Sequence, residues 1–112
     1  MTPSKRGDIV LVEFGYSEGT GSKKRPALVL STEQYHQSRQ EVIVSAMTSN
    51  VSRVLVGDTL IKRWREAGLL FPSVATGIVR TIKASLIVRT LGTLPPQDLK
   101  QVERSLRRAI GF

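Results

Sequence analysis

The sequence predicts a mainly β (α+β) fold: a small curled sheet or barrel with a short middle helix and a C-terminal helix packed outside it. Short apolar runs of strand length recur along the first four-fifths of the chain, bounded by Gly, Pro, Ser and Asp. The last segment changes period: Leu99, Val102, Leu106, Ala109 and Ile110 recur at helical spacing. The chain has 112 residues and no cysteine. That length suits one domain, residues 1–112, able to bury roughly 60–70% of its unfolded surface without disulfide staples.

The elements are taken in chain order. Ile9, Val10, Leu11, Val12 and Phe14 make a first strand, with Glu13 among them. The Gly- and Ser-rich stretch GYSEGTGSKK, Gly15 to Lys24, is the first break, and a loop of about ten residues exceeds most hairpin turns. Ala27 to Leu30 follow Pro26 as a second strand, and Val42, Ile43, Val44 and Ala46 form a third. Residues 54–61 (VLVGDTLI) read as a broken strand or hairpin turning at Gly57-Asp58. Residues 62–67 (KRWREA) are the best short middle helix, stopped by Gly68, with Trp64 as its anchor into the core. Residues 74–82 (VATGIVRTI) are β-rich with a bulge expected at Gly77, and residues 86–94 (LIVRTLGTL) give another strand. Pro95 and Pro96 suit the start of the last helix, Asp98 its first turn, and Gly111 its end.

Composition removes whole classes of chemistry. Without cysteine there is no thiolate nucleophile and no Cys-based zinc or iron–sulfur site. With His36 as the one histidine, no His–His metal pair forms within a chain. The N-terminus has no secretory h-region, and no apolar stretch approaches the ~20 residues of a membrane span, so the cytoplasm is the expected location. The 17 Lys+Arg against 9 Asp+Glu leave a net charge of +8, which makes a polyanion the first partner to weigh against plain solubility.

Candidate site residues come from the ends of the strands. GTGSKK lacks the Walker spacing and precedes a strand, so it is no nucleotide P-loop. A Gly-rich loop ending in Lys23, Lys24 and Arg25 can still approach a phosphate backbone closely. Arg25, held against Pro26, reads either as an ordinary surface arginine or as a rigidly aimed guanidinium that grips phosphate oxygens in bidentate fashion. Thr48 and Ser49 close the third strand, as a turn signal or as hydroxyl donors; Arg80 and Thr81 form a similar pair. His36 reads as a solvated loop or helix-end residue.

RGDIVLVEF, the Gly-rich loop, KRPALVLS, EVIVSAMTSN, AGLLFPSV, RTIKASLI and LGTLPPQDLKQVERSLRRAIG, in that order, resemble the MazF/PemK family, the toxins of type II toxin–antitoxin systems. The likeness runs from about Lys5 to the C-terminus and is strongest to the PemK-like branch. The resemblance implies an SH3-like barrel, a homodimer, a cognate antitoxin, and cleavage of single-stranded RNA at specific sequences without metal or other cofactor; the +8 charge points to an acidic antitoxin. It assigns catalysis to Arg25 and Thr48, and the mobile loop flanking the RNA to Gly15 through Lys24. Lys24, Ser49 and Arg53 are expected phosphate contacts; Glu18, Lys23 and Arg80 complete the expected RNA-binding set. Some relatives carry an acid in the loop shortly before the arginine; here the nearest is Glu18. Many carry acidic or amide side chains before RTI, where this chain has Gly77, Ile78 and Val79. Two other readings stand beside RNA cleavage: a non-catalytic RNA- or antitoxin-binding module, and a gyrase-inhibiting toxin of the same fold group acting through its C-terminal helix.

Overall fold

The computed structural model describes residues 4–15 and 22–112. The order is β1 (Asp8–Gly15), β2 (Ser22–Val29), α1 (Glu33–Arg39), β3 (Glu41–Thr48), β4 (Thr59–Ile61), β5 (Ser73–Lys83), a single 3-10 turn (Ala84–Leu86), β6 (Ile87–Thr93) and α2 (Pro96–Ile110). The strands form one curled 6-stranded sheet in the order β4-β5-β3-β2-β1-β6, antiparallel at every pair.

The run Ile9-Val10-Leu11-Val12 has few polar interruptions because both faces of β1 are covered. Ile9 joins a cluster with Leu28, Met47, Ile61, Ala75, Val102 and Leu106. Val10 and Val12 point the other way, into a cluster with Ala27, Val29, Val42, Val44 and Ile82. Successive strand residues alternate faces, so an uninterrupted apolar run is what a doubly covered strand requires.

α2 seals the first cluster with Val102 and Leu106, which are buried, and Leu99, which is half-buried. Pro96 stands in its first turn, and Gly111 ends it at φ 88 as expected. The last turn departs from the expected apolar face, since Ile110 is 61% exposed. Arg6 holds the helix from outside, pairing with Glu103 and donating to the Leu30 carbonyl at 2.6 Å.

The bulge at Gly77 is present. Ser45 pairs with Val79 and Met47 with Ala75, so residues 76–78 face Ala46 alone. A Cβ on Gly77 would lie 3.2 Å from the Gly57 Cα, which favours glycine there.

Two expectations need correction. KRWREA is not a helix: residues 62–68 are a series of turns. The buried Asp98 carboxylate accepts the backbone N–H of Lys62 and of Arg63, each at 3.0 Å, and the Arg63 guanidinium at 2.7 Å. These bonds tie the start of the segment to the first turn of α2, and the backbone bonds that follow are irregular: Ala67 N–H to the Arg63 carbonyl, Gly68 N–H to the Arg65 carbonyl and Leu69 N–H to the Trp64 carbonyl, with no repeating i−4 ladder. Trp64 still packs on the core, with the Arg65 guanidinium 4.8 Å from its ring centroid. The short middle helix is α1 instead. Thr32 caps it by accepting the Tyr35 N–H at 3.3 Å, and Gln40 ends it in the left-handed region at φ 56. His36 therefore lies on a helix, where its Nε2 is 2.5 Å from the Ser31 hydroxyl.

The second correction concerns 54–61, of which only Thr59–Ile61 is strand. Asp58 accepts the Leu55 N–H at 2.9 Å and the Gly77 N–H at 2.8 Å. That carboxylate folds residues 55–58 into a turn tied to the β5 bulge, and Gly57 takes φ 98 within it.

Candidate active site

Register sets Arg25 and Thr48 on one face of the sheet. The β2–β3 ladder pairs Val29 with Val44, Leu28 with Ser45 and Ala27 with Ala46. Pro26, with no N–H to donate, follows at the point where the paired ladder stops. Continued two residues, the same register sets Arg25 opposite Thr48.

Residues opposite one another share a face of the sheet. Arg25 pairs with Val12 and Lys23 with Phe14, so both share the face of Val10, Ala27 and Val29. Thr48 alternates onto that face with Val44 and Ala46, and Arg80, paired with Val44, joins it from β5. The curl of the sheet then brings β5 toward β1: the Arg80 guanidinium sits 5.2 Å from the Phe14 ring centroid. Lys23, Arg25, Thr48 and Arg80 thus line one basic face above an apolar floor.

Arg25 and Lys23 are exposed and, among the described residues, form no salt bridge. Their charge is therefore uncompensated there, which suits an anion. Thr48 is half-buried, and its Oγ1 accepts the Asn50 N–H at 3.1 Å. That bond fixes the hydroxyl oxygen and leaves its hydrogen to donate outward.

Not every expected residue joins this group. Lys24 pairs with Glu13 and points to the opposite face. Ser49 and Arg53 are exposed on the segment after β3. Glu18 and most of the Gly-rich loop lie outside the described residues.

Sequence reasoning missed the side chains that hold the segment beside the site. Asn50 Oδ1 accepts from the Ser52 N–H at 3.2 Å and the Ser52 hydroxyl at 2.6 Å, forming an Asx turn. Ser45 donates to the Thr76 carbonyl and Thr76 donates to the Ala46 carbonyl, each at 2.6 Å. This reciprocal pair clamps the bulge against β3 two residues before Thr48. Asn50 and Asp58 carried a turn signal; nothing local marked Ser45 or Thr76. Among the described residues, no three His, Asp or Glu side chains gather as a metal site.

The family model for PemK-like, MazF-like toxins of type II toxin–antitoxin systems matches residues 5–110. The chain belongs to this family.

The MazF-like architecture recurs in solved structures. A MazE–MazF crystal structure (Form-II) from Deinococcus radiodurans superposes with TM-score 0.82 at 22% identity, over 100% of this chain and 99% of that one. An endoribonuclease in complex with its cognate antitoxin, from a mycobacterial species, gives 0.79 at 17% identity, over 98% and 97%. The Mycobacterium tuberculosis toxin MazF-mt6 gives 0.72 at 22% identity, over 92% and 97%. Likeness at these identities establishes a shared fold. No curated protein matches the chain by sequence. No helix among the described residues is long and apolar enough to cross a membrane.

Proposed function

We propose that this MazF/PemK-type toxin is an endoribonuclease that cuts single-stranded RNA at specific sequences without a metal ion. The observation that carries the reading is that strand pairing gives Lys23, Arg25, Thr48 and Arg80 one face of the sheet. The RNA supplies its own nucleophile, the 2′-OH, so no serine, cysteine or histidine nucleophile is needed. The 2′-oxygen attacks the adjacent phosphorus as its proton leaves to a base. The P–O5′ bond breaks, and the 5′-oxygen departs with a proton. The products are a 2′,3′-cyclic phosphate and a 5′-hydroxyl, and DNA, lacking the 2′-OH, is not cut.

Negative charge builds on the phosphoryl oxygens in the transition state. Arg25 stabilises it with its permanently charged fork, and the Thr48 hydroxyl adds a donor whose orientation the Asn50 N–H already sets. With a pKa above ~12, arginine acts here by charge and not by giving up a proton. Lys23 and Arg80 hold the RNA backbone from the same face, and Ser49 and Arg53 from the segment after β3. The working form is a cytoplasmic homodimer restrained by an acidic antitoxin, which the +8 charge attracts.

The test is purified protein on a long single-stranded RNA in EDTA, with Arg25→Ala and Thr48→Ala beside the wild type. Discrete cuts ending in cyclic phosphate, lost in both variants, support the proposal. RNA that binds and stays intact rejects it in favour of a binding module; inhibition of supercoiling redirects it to gyrase.

A further inference from the structure

The cations on the Arg25–Thr48 face suit phosphate, and phosphate contacts position an RNA without reading its sequence. A group of different chemistry lies farther out on the same face. Leu60 pairs with Val74, and Val74 with Thr48, so all three share that face. Residues 57 and 59 turn the other way, toward α2: Thr59 Oγ1 donates to Ser105 Oγ at 2.7 Å, and a Cβ on Gly57 would lie 3.1 Å from the Ala109 Cβ. Asp58, between them, therefore turns to the face of Leu60 and Thr48. Two strand spacings and two residues of rise put its Cα about 12 Å from that of Thr48. That exceeds the ~3 Å reach of a general base acting at the scissile phosphate, and suits the base of a flanking nucleotide.

The Asp58 carboxylate is oriented in advance. Its Oδ1 accepts the Gly77 N–H at 2.8 Å and its Oδ2 the Leu55 N–H at 2.9 Å. An ionised carboxylate has about four acceptor positions, so each oxygen keeps one lone pair for a ligand. Asp58 is half-buried and forms no salt bridge with a described residue. Beside it, Ile78 follows Gly77 and alternates with Arg80 onto the same face, where it is 62% exposed. A fixed pair of acceptors next to an exposed apolar side chain is an arrangement that takes a flat, donor-edged ring.

We propose that Asp58 reads a guanine flanking the scissile phosphate, accepting its N1–H and N2–H with the two carboxylate oxygens while Ile78 packs on the ring. The assignment rests on the RNA-cleaving function proposed above and adds a specificity-determining residue to it. Guanine is the base whose Watson–Crick edge sets two donors side by side. Adenine and cytosine place an acceptor nitrogen beside their amino group, which would face a carboxylate oxygen. Uracil flanks its one N–H with two carbonyls. A carboxylate whose backbone bonds already fix it gives up little freedom on binding, so the preference is expressed in full.

The test reads binding and cleavage separately on the full-length protein. An array of 2′-O-methyl RNA hexamers, which cannot be cut, should yield bound sequences sharing a guanine at one position. Inosine there, lacking the N2 amino group, should bind about tenfold or more weakly, and 7-deazaguanine, altered on the opposite edge, within about twofold of guanine. Asp58→Asn should bring the guanine-to-inosine affinity ratio close to one. A purely structural Asp58 would weaken guanine and inosine RNAs in proportion and leave that ratio intact, which overturns the proposal. If circular dichroism shows that Asp58→Asn does not fold, Asp58→Glu, which keeps the charge and shifts the carboxylate, must still lower the ratio. Bound sequences without a common guanine, or equal affinity for inosine, also overturn it. Selective guanine binding with RNA left uncut keeps Asp58 as the reader and rejects the nuclease. Cuts with no guanine at a fixed place beside them keep the nuclease and reject the reader, and a protein that binds no RNA rejects both.

Discussion

Gly68 and Gly92 pack backbone against backbone. A Cβ on Gly92 would lie 2.1 Å from the Ala67 carbonyl oxygen, and one on Gly68 would lie 2.2 Å from the Leu91 carbonyl oxygen. Gly68 also holds φ +87. The contact joins the turns of residues 62–68 to the β6 edge strand. Gly68→Ala and Gly92→Ala should each destabilise the protein by about 2–4 kcal/mol, from clash and, at Gly68, backbone strain. Gly111→Ala is the control: it has a positive φ and nothing within 4 Å of a Cβ, and should cost about 1 kcal/mol. Urea titrations compare the three.

Asp98 should be the costliest single polar deletion in the α2 region. It is 4% exposed and satisfies two backbone N–H groups and a guanidinium. Asp98→Ala orphans all of them and should cost about 3 kcal/mol. Asp98→Asn keeps a carbonyl acceptor and should cost less. Equal denaturation midpoints for Asp98→Ala and wild type would refute the role of this carboxylate in tying Lys62 and Arg63 to α2.

Thr48→Val should lower the cleavage rate by ~10²–10³ with little change in RNA affinity, since it removes a donor that matters in the transition state. Thr48→Ser should retain most activity. Arg25→Lys should not rescue Arg25→Ala, because an ammonium cannot form the planar two-point grip on a phosphate. Single-turnover rates at saturating RNA check all four variants.

Lys23 and Lys24 are neighbours in sequence and stand on opposite faces. Lys23→Ala and Arg80→Ala should each reduce the steepness of the salt dependence of RNA binding by about 0.7 in log–log slope. Lys24→Ala should leave the slope unchanged. Equal slopes for Lys23→Ala and Lys24→Ala would rule out this sheet face as the RNA-binding surface.

Asp58→Ala should separate stability from function. Losing its bonds to the Leu55 and Gly77 N–H groups should cost about 1–2 kcal/mol. It should also loosen the segment carrying Ser49 and Arg53 and weaken RNA binding. The check is thermal unfolding beside RNA affinity measured well below the variant's melting temperature.

Local pattern suffices wherever one element's own residues decide its shape. The apolar run from Ile9, the helical recurrence of Leu99, Val102 and Leu106, the stop at Gly111 and the bulge at Gly77 are all legible in the chain, because periodicity and glycine geometry act over a few residues. Lys24 is misplaced when the loop is taken to run through it, whereas β2 begins at Ser22 and alternation then divides the two lysines between faces. Tertiary structure alone decided the rest. Asp98 ties the start of KRWREA to α2 from 36 and 35 residues away. Asp58 reaches across 19 residues to Gly77, and Arg80 reaches Phe14 only because the sheet curls. Arg25 shares a sheet face with Thr48 through the register of β2 on β3, set by burial of Ala27, Val29 and Val44 on that face. Such contacts leave no period in a sequence, since their cause is the packing of segments that are distant along the chain.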